Sequence, residues 1–421
     1  GSGGYTFQLD NTFAANTDAV NSFKRALNTW TCKTGVNMTV SDTPTTADCT
    51  VPAMGPPSPG VNYVSFDNTC PVSAGLAGQA RYFISGCTIG ADTYAYISEI
   101  DVYIGNTVPW NYGTDCPDMN AIDFQSVMLH ELGHGFGMGH VVNTGEVMFP
   151  SVVSGTHNRN LDQGALSCMS AVMAHSTTMG TCAINAMTQT TVCTPNQVSV
   201  EATVLLEGAY QSATNMNVNL RNPLNVIPLI QPFNQAPWNY AGTEAFATLG
   251  DLPANAVDWV LVEVRNAQTK CVEEQKAAIL MGDGSLKDVD ATVTSGVAFT
   301  TLNYCSNYYL SIKHRNHIAV MSSQVVTVPN VGSPYNFTAT GAVEGGDTQM
   351  KEVATGIFAM KGGDYNSDGV VNTDDNTALV AAVGSAGSYL LTDGDLNAYV
   401  TVSDFNVQNN NQGTNGTVLC Q

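Results

Sequence analysis

Basic residues are scarce in this chain: 14 Lys and Arg stand against 35 Asp and Glu, a formal charge of −21 over 421 residues. Such a balance repels phosphate backbones and anionic lipid, which argues against nucleic-acid and membrane partners. Bound cations would offset part of the charge; a merely solvated acidic surface is the plain alternative. Charged side chains make up only 12% of the sequence, about half the usual share, so Thr, Asn, Ser and Gly do the solvating. No apolar run reaches the ~18 residues of a membrane helix, and residues 1–4 lack the basic and apolar regions of a signal peptide. A processed, soluble form is the expectation. Also missing is the CxxC spacing of structural zinc sites. The 11 cysteines read instead as disulfides, which implies an oxidising, extracellular or periplasmic setting. Cys70 with Cys87 and Cys271 with Cys305 are the expected local pairs, although spacing does not determine connectivity. The odd count leaves a thiol free or bonded outside the chain, with Cys420 the candidate.

The length exceeds what one core supports, ~250 to 300 residues, so several domains are expected. Residues 5 to 175 alternate strand-like and helical segments and suggest an α/β unit with a mixed sheet. Residues 13–30 form the first expected helix, with Phe13, Val20, Phe23, Leu27 and Trp30 as its apolar stripe. A proline-rich loop at 52–59 follows, then strands at 78–84 and 97–104; in the second, Ile100, Val102 and Ile104 alternate with Glu99, Asp101 and Tyr103. A second helix begins near Asp123, a good N-cap residue. Between residues 182 and 195 the texture turns Thr-rich and aperiodic, and beyond it short strand-like segments at 198–207, 257–264, 276–281, 308–314 and 318–328 predict an all-β sandwich.

The chemistry is concentrated in HELGHGFGMGH, residues 130–140. His130 and His134 lie four apart on one helix face, so both imidazoles reach one Zn²⁺. Glu131, beside the first ligand, projects toward the open coordination position, where a carboxylate takes a proton from water. A straight helix would carry His140 away. Gly137 can adopt φ > 0, end the helix and swing His140 round as third ligand. Three neutral histidines leave a fourth position open, the arrangement of a catalytic zinc rather than a structural one.

HExxHxxGxxH followed by a Met-containing turn resembles the metzincin peptidases, with Met148, in the string EVMFP, as the turn methionine under the metal. Phe149 and Val141 depart from the residues that several subfamilies place there. The approach segments EIDVYIGN and IDFQSVMLHELGHGFGMGH look most like bacterial matrixin-like peptidases. The resemblance covers about residues 5 to 175 and implies one catalytic zinc, a protein or peptide substrate, and hydrolysis with Glu131 as base. It also implies substrate contacts at Gly78, Gln79 and Ala80 of an edge strand, and at Pro150, Ser151 and Val152 after the Met-turn.

Residues 364–375 match an EF-hand-type loop, with Asp364, Asn366, Asp368 and Asp375 as oxygen ligands and Val370 offering its carbonyl. A second loop repeats the register with Asp393, Asp395, Asn397, Tyr399 and Asp404, but has Ala398 where the first has Gly369. It is therefore the weaker match. The duplication and the aspartate at position 12 resemble dockerin modules, implying two Ca²⁺ ions and leaving open a cohesin-like or cell-surface partner. The strings VLLEGAYQ, AVDWVLVEVRN, YYLSIKHRNHIAVMS and MKGGDYNSDGVVN resemble a module of secreted and surface proteins of Bacteroidetes. His314, Arg315, Asn316 and His317 read as a polar cluster at a strand turn rather than a second metal site.

The resulting expectation is a multidomain chain: an α/β (α+β) metzincin domain with a mixed sheet and an active-site helix at 1–180, a linker at 181–197, an all-β sandwich at 198–345, and a small EF-hand-like, dockerin-type α domain at 346–421. Secretion or display at the cell surface is expected with it. Two other classes compete: an adhesin or structural protein whose peptidase fold is vestigial or self-processing, and a glycan-binding protein, for which no aromatic platform is evident. The intact His130, Glu131, His134 and His140 favour the peptidase.

Overall fold

The computed structural model describes residues 4–41, 43–49, 61–114, 116–177, 187, 190, 197–212 and 215–416. It divides into two compact units, Gly1–Asn196 and Gln197–Gln421. The proline-rich loop at 52–59, Cys420 and nearly all of the expected linker lie outside the described residues.

The first unit runs β1 (Tyr5–Leu9), α1 (Asn11–Ala14), α2 (Thr17–Thr34), β2 (Met38–Val40), β3 (Asn62–Phe66), β4 (Gly78–Ile89), β5 (Asp92–Ile104), β6 (Trp110–Asn111), β7 (Ile122–Asp123), α3 (Phe124–Gly135) and α4 (Gln163–Ser176). The helix expected at 13–30 is thus two helices. Asn16 breaks the run by taking an extended backbone, and its side chain accepts the amide of Ala19 to start α2. Gly35, at φ 77°, ends it. Ala19, Phe23, Ala26, Leu27 and Trp30 bury one face of α2, and Trp30 Nε1 donates to the Leu129 carbonyl at 3.3 Å, seating α2 against α3.

The sheet order is β2-β1-β3-β5-β4. Its first four strands are parallel and β4 is an antiparallel edge, so the sheet is mixed as expected. Alternation in β5 does not open one face to water: Glu99, Asp101 and Tyr103 are as buried as Ile100, Val102 and Ile104. Tyr103 packs with Ala47, Cys49 and Cys70, and Cys49 bonds Cys70 with Cα atoms 5.3 Å apart. This overturns the expected pairing of Cys70 with Cys87. The backbone of 45–47 is tied to β1 through Asp10, whose carboxylate accepts the amide of Ala47 at 3.0 Å, and that docking delivers Cys49 to Cys70. Cys87, Cys271 and Cys305 are each disulfide-bonded. Among the described residues Cys168, on α4, is free.

The second unit holds short strands β8 (Val198–Val200), β9 (Ala202–Thr203), β10 (Tyr210–Ser212) and β11 (Asn215–Met216), then β12 (Ala256–Asn266), β13 (Val272–Met281), β14 (Leu286–Lys287), β15 (Val297–Phe299), β16 (Ser306–His314), β17 (His317–Met321), β18 (Val326–Val328), β19 (Tyr335–Asn336), β20 (Met350–Ala354) and β21 (Ile357–Met360), closing with α5 (Thr373–Ala382) and α6 (Val402–Asn411). Its main sheet has six strands around β12, which is buried from Ala256 to Arg265 and so is covered on both faces. One apolar cluster runs from Val198 through this sheet to Leu396 and Ala398 of the second acidic loop, so the strands and the acidic loops share one core.

Candidate metal centre

Helix α3 begins at Asp123, whose carboxylate accepts the Ser126 amide at 2.9 Å and its hydroxyl at 2.6 Å. The same carboxylate pairs with the buried Arg159, which also donates to the carbonyls of Thr114 and Gly113. The helix end follows from glycine. Gly137 sits at φ 83°, its amide returning to His134 O at 2.8 Å and that of Met138 to Gly133 O at 3.1 Å. This pair of bonds is the Schellman closure that turns the chain toward His140. The amide of Val141 then bonds Met148 O at 3.1 Å, tying the third histidine to the Met-turn.

As a result, His134 Nε2 lies 3.0 Å from His130 Nε2 and 3.1 Å from His140 Nε2. Nδ1 of His130 donates to Val147 O, and Nδ1 of His134 to Met138 O, both at 2.8 Å. Those carbonyls fix the tautomer so that Nε2 presents a lone pair. Lone pairs converging so closely repel one another unless a cation lies among them. Nitrogens about 2.0–2.1 Å from a tetrahedral zinc would stand about 3.3 Å apart, so the donor set fits that ion. Burial holds the proton affinity of His130 down, to a pKa of about 4, and lowers that of His134 too.

Glu131 is 6% exposed. Burial raises its pKa to about 7, against the opposing pull of the Ala80 amide, which donates to it. A Cβ on Gly78 would come within 2.9 Å of its Oε1. Gly78 and Ala80 of the edge strand therefore flank the carboxylate, whereas the side chain of Gln79 turns back to Ser73. Pro150 and Ser151 are exposed, and Val152 packs partly against the unit's core. Met148 is buried, its Sδ directly over Gly133, where a Cβ would stand 2.3 Å away.

Two positioning residues were not singled out in the sequence: Arg159, which pairs with the expected cap Asp123, and Asp162, which caps α4. For Asp162 a signal existed. It precedes Ala165, Met169 and Met173, an apolar spacing of four that marks a helix.

In the second unit the acidic loops are duplicates in their backbone. Asp364 accepts the amides of Asp368 and Gly369, as Asp393 accepts those of Asn397 and Ala398. Asp375 and Asp404 each close a capping box at the following helix. In the second loop Asp393, Asp395 and Asp404 offer carboxylate oxygens that lie within 4.8 Å of one another, so Ala398 in place of a glycine does not keep them apart. Ala398 takes φ 64° where Gly369 takes 85°, so alanine accepts the left-handed region at a cost of about 1 kcal/mol. Burial, chiefly, raises both Asp364 and Asp393 to a pKa of about 7. Val370 and Tyr399 occupy matching positions after them, and Asn366 and Asn397 donate to Asp368 and Asp395.

His314, Arg315, Asn316 and His317 are buried in the same unit. His314 Nε2 and Arg315 Nε reach Asp258 Oδ2 at 3.2 and 2.8 Å. Asn316 donates to the carbonyls of Leu391 and Asp393. The cluster is a polar strut that ties Asp258 to the second acidic loop.

The profile of a family described as Matrixin matches residues 79–171. Metalloendoproteinase 1 of Glycine max is 33% identical over 90 residues, 21% of this chain and 26% of that protein. Two solved type II cohesin–X-dockerin complexes from Acetivibrio cellulolyticus, an N-terminal and a C-terminal interface mutant, align at 15% and 14% identity over 37% of this chain and 82% of theirs, each with a TM-score of 0.23. Residues 79–171, which hold the three histidines and Glu131, are thus similar to a matrixin-type, metzincin-like domain, and the chain spans about a quarter of the length of the curated relative it matches.

Proposed function

We propose that this chain is a secreted or surface-displayed zinc endopeptidase, with His130, His134 and His140 as zinc ligands and Glu131 as general base. The supporting observation is the convergence of three Nε2 atoms beside a buried carboxylate flanked by the edge strand of the sheet. A zinc ion there supplies Lewis acidity to water and to the scissile carbonyl. Gly78 and Ala80 align an extended peptide by backbone pairing, with Pro150, Ser151 and Val152 walling the pocket beyond the cut. Glu131, raised in pKa by burial, takes a proton from the attacking water and returns it to the leaving amine. The acidic loops bind two Ca²⁺ ions, and the segments 198–345 and 346–421 act as sandwich and dockerin-like portions of the second unit. A cohesin-like or cell-surface partner would fit the latter.

The test is a casein or gelatin digest with metal analysis. Glu131→Ala keeps zinc and loses hydrolysis, whereas His140→Ala loses both at limiting metal; substantial turnover by Glu131→Ala would remove the base from the scheme.

A further inference from the structure

The segment that the peptidase reading sets beside the pocket beyond the cut, Pro150 to Val152, belongs to a loop pinned at both ends to one face of α3. At its start the carbonyl of Val147 accepts from Nδ1 of His130 at 2.8 Å. At its end the amide of Asn158 donates to Oγ of Ser126 at 2.6 Å. Ser126 and His130 are four residues apart within α3, so they project from the same face, one turn from each other. Residues 148–157 therefore hang between a histidine of the metal centre and a hydroxyl one turn before it. Between these ends the loop folds on itself: Val153 O accepts the amide and the hydroxyl of Thr156, at 3.2 and 2.7 Å, and the Gly155 amide reaches Ala121 O at 2.9 Å.

What stands behind Ser126 fits it for this contact. Its hydroxyl proton goes to Asp123 Oδ2 at 2.6 Å, because a carboxylate paired with an arginine accepts only. That leaves the lone pairs of Oγ for the Asn158 amide, and donation to a charged group makes the oxygen a better acceptor. Arg159, the next residue, bonds the same Oδ2 through Nε at 3.0 Å. Two consecutive residues at the end of the loop thus grip the cap of α3, one through the hydroxyl and one directly. Ser126, Asp123 and Arg159 are all buried. Nδ2 of Asn158 also donates to Gly145 O at 3.2 Å, so loss of the hydroxyl would loosen this end without freeing it.

We propose that Ser126 is a positioning residue for substrate selection: it fixes how far the 148–157 loop stands from the metal centre, and with that the room for the side chain that follows the scissile bond. The inference rests on the peptidase reading and adds to it the residue that sets the width of that pocket. Removing the hydroxyl leaves His130, His134, His140 and Glu131 in place. It therefore alters which side chain is accepted more than the chemistry itself, and a looser loop discriminates less between small and large.

Two fluorogenic peptides that differ only in carrying alanine or leucine directly after the cut test it with the full chain. Ser126→Ala should keep the fold, since alanine is the best helix former. The ratio of the two KM values should move toward unity by about fivefold or more, the worth of one hydrogen bond, while each kcat stays within about twofold and zinc affinity is unchanged. Hydrogen exchange gives a readout that needs neither zinc nor turnover: the amides of 150–158 should exchange about fivefold faster in the variant, in the zinc-free and the zinc-loaded protein alike. Ser126→Thr, which keeps the hydroxyl, should restore both. An unchanged KM ratio overturns the proposal even if exchange rises, as does a wild type that does not distinguish the two peptides. A fall in kcat, zinc affinity and melting temperature, shared equally by both peptides, makes Ser126 a brace of the helix and overturns it too. If the wild type cuts neither peptide, the peptidase reading fails, and the selection role fails with it whatever the exchange shows.

Discussion

Asp162 and Val147 are joined by a hydrogen bond that connects the cap of one helix to the metal centre on another. Oδ2 of Asp162 accepts the Val147 amide at 2.9 Å while Oδ1 caps α4 through Ala165 at 2.9 Å; the carbonyl of Val147 then orients His130. Asp162→Ala should lower stability by about 1 kcal/mol through the cap and weaken zinc binding by about 10-fold or more through the freed Val147 carbonyl. A competitive zinc titration beside a thermal melt separates the two effects. A lower melting point with unchanged zinc affinity would make the residue a cap and nothing else.

The contact of Met148 with Gly133 gives a second expectation. Alanine is favoured over glycine inside a helix by about 1 kcal/mol, yet its methyl would sit 2.3 Å from Sδ and 3.2 Å from Cε of Met148. Overpacking should win, with Gly133→Ala destabilising by about 1–3 kcal/mol. Because the cost is a collision, the double variant with Met148→Ala should lose less than the sum of the two single changes. Strict additivity in urea unfolding would contradict the contact.

The parts of this site legible in the sequence are those governed by short spacing. His130, His134, Gly137 and His140 depend on one helix and one turn, and Asp123 on one cap, so each could be placed from residues a few positions away. Asp123 with Arg159, 36 residues apart, and Asp162 with Val147 are set by how loops pack on the helix, and no local period encodes that. Cys49 with Cys70 failed for the same reason: the partner was chosen by Asp10 holding Ala47 against β1, not by chain distance. In the acidic loops the register was legible, but the convergence of Asp393, Asp395 and Asp404 despite Ala398 was not, since the glycine rule looks at a single position. The division of the strand-rich and acidic segments at residues 345/346 marks a change of texture within one compact unit.

A pH expectation follows from Asp258. Burial alone would push its carboxyl up, but the Arg315 guanidinium, then His314 and the Tyr389 hydroxyl, hold it well below the usual range. His314 and His317 are themselves lowered, first by burial. A depressed folded pKa contributes stability that is present above the unfolded value of about 3.9 and lost as pH falls below it. The second unit should therefore lose stability steeply under pH 4. Asp258→Asn should flatten that limb and cost about 3–5 kcal/mol at neutral pH, because Arg315 is left buried without its counter-ion. Guanidinium unfolding at pH 7 and at pH 3.5 measures both; a variant as pH-sensitive as the wild type would exclude Asp258 as the source.

Calcium supplies the last expectation, from Asp364, Asp368, Asp375, Asp393, Asp395 and Asp404 crowded within about forty residues. Burial lifts Asp364 and Asp393 to a pKa of about 7, so the fold disfavours their charged forms unless a cation compensates them. A cation converts that repulsion into binding available only to the folded state, about 2.7 kcal/mol per site at a hundredfold excess over Kd. Helices α5 and α6, ten residues each, are too short to persist alone and depend on the loops for their capping. The loops in turn are held by the 314–317 turn, through Ser367 to Arg315 O at 2.8 Å and through Asn316 to Leu391 and Asp393. Chelation with EGTA, which spares tightly held zinc, should open the chain after Gly362 to limited proteolysis and lower the unfolding temperature of the second unit, while the first unit keeps its own. Asn316→Ala should reproduce part of that loosening with calcium present, because it cuts the strut without touching a ligand. Identical cleavage patterns after Gly362 with and without EGTA would show that the loops hold no calcium that matters to the fold.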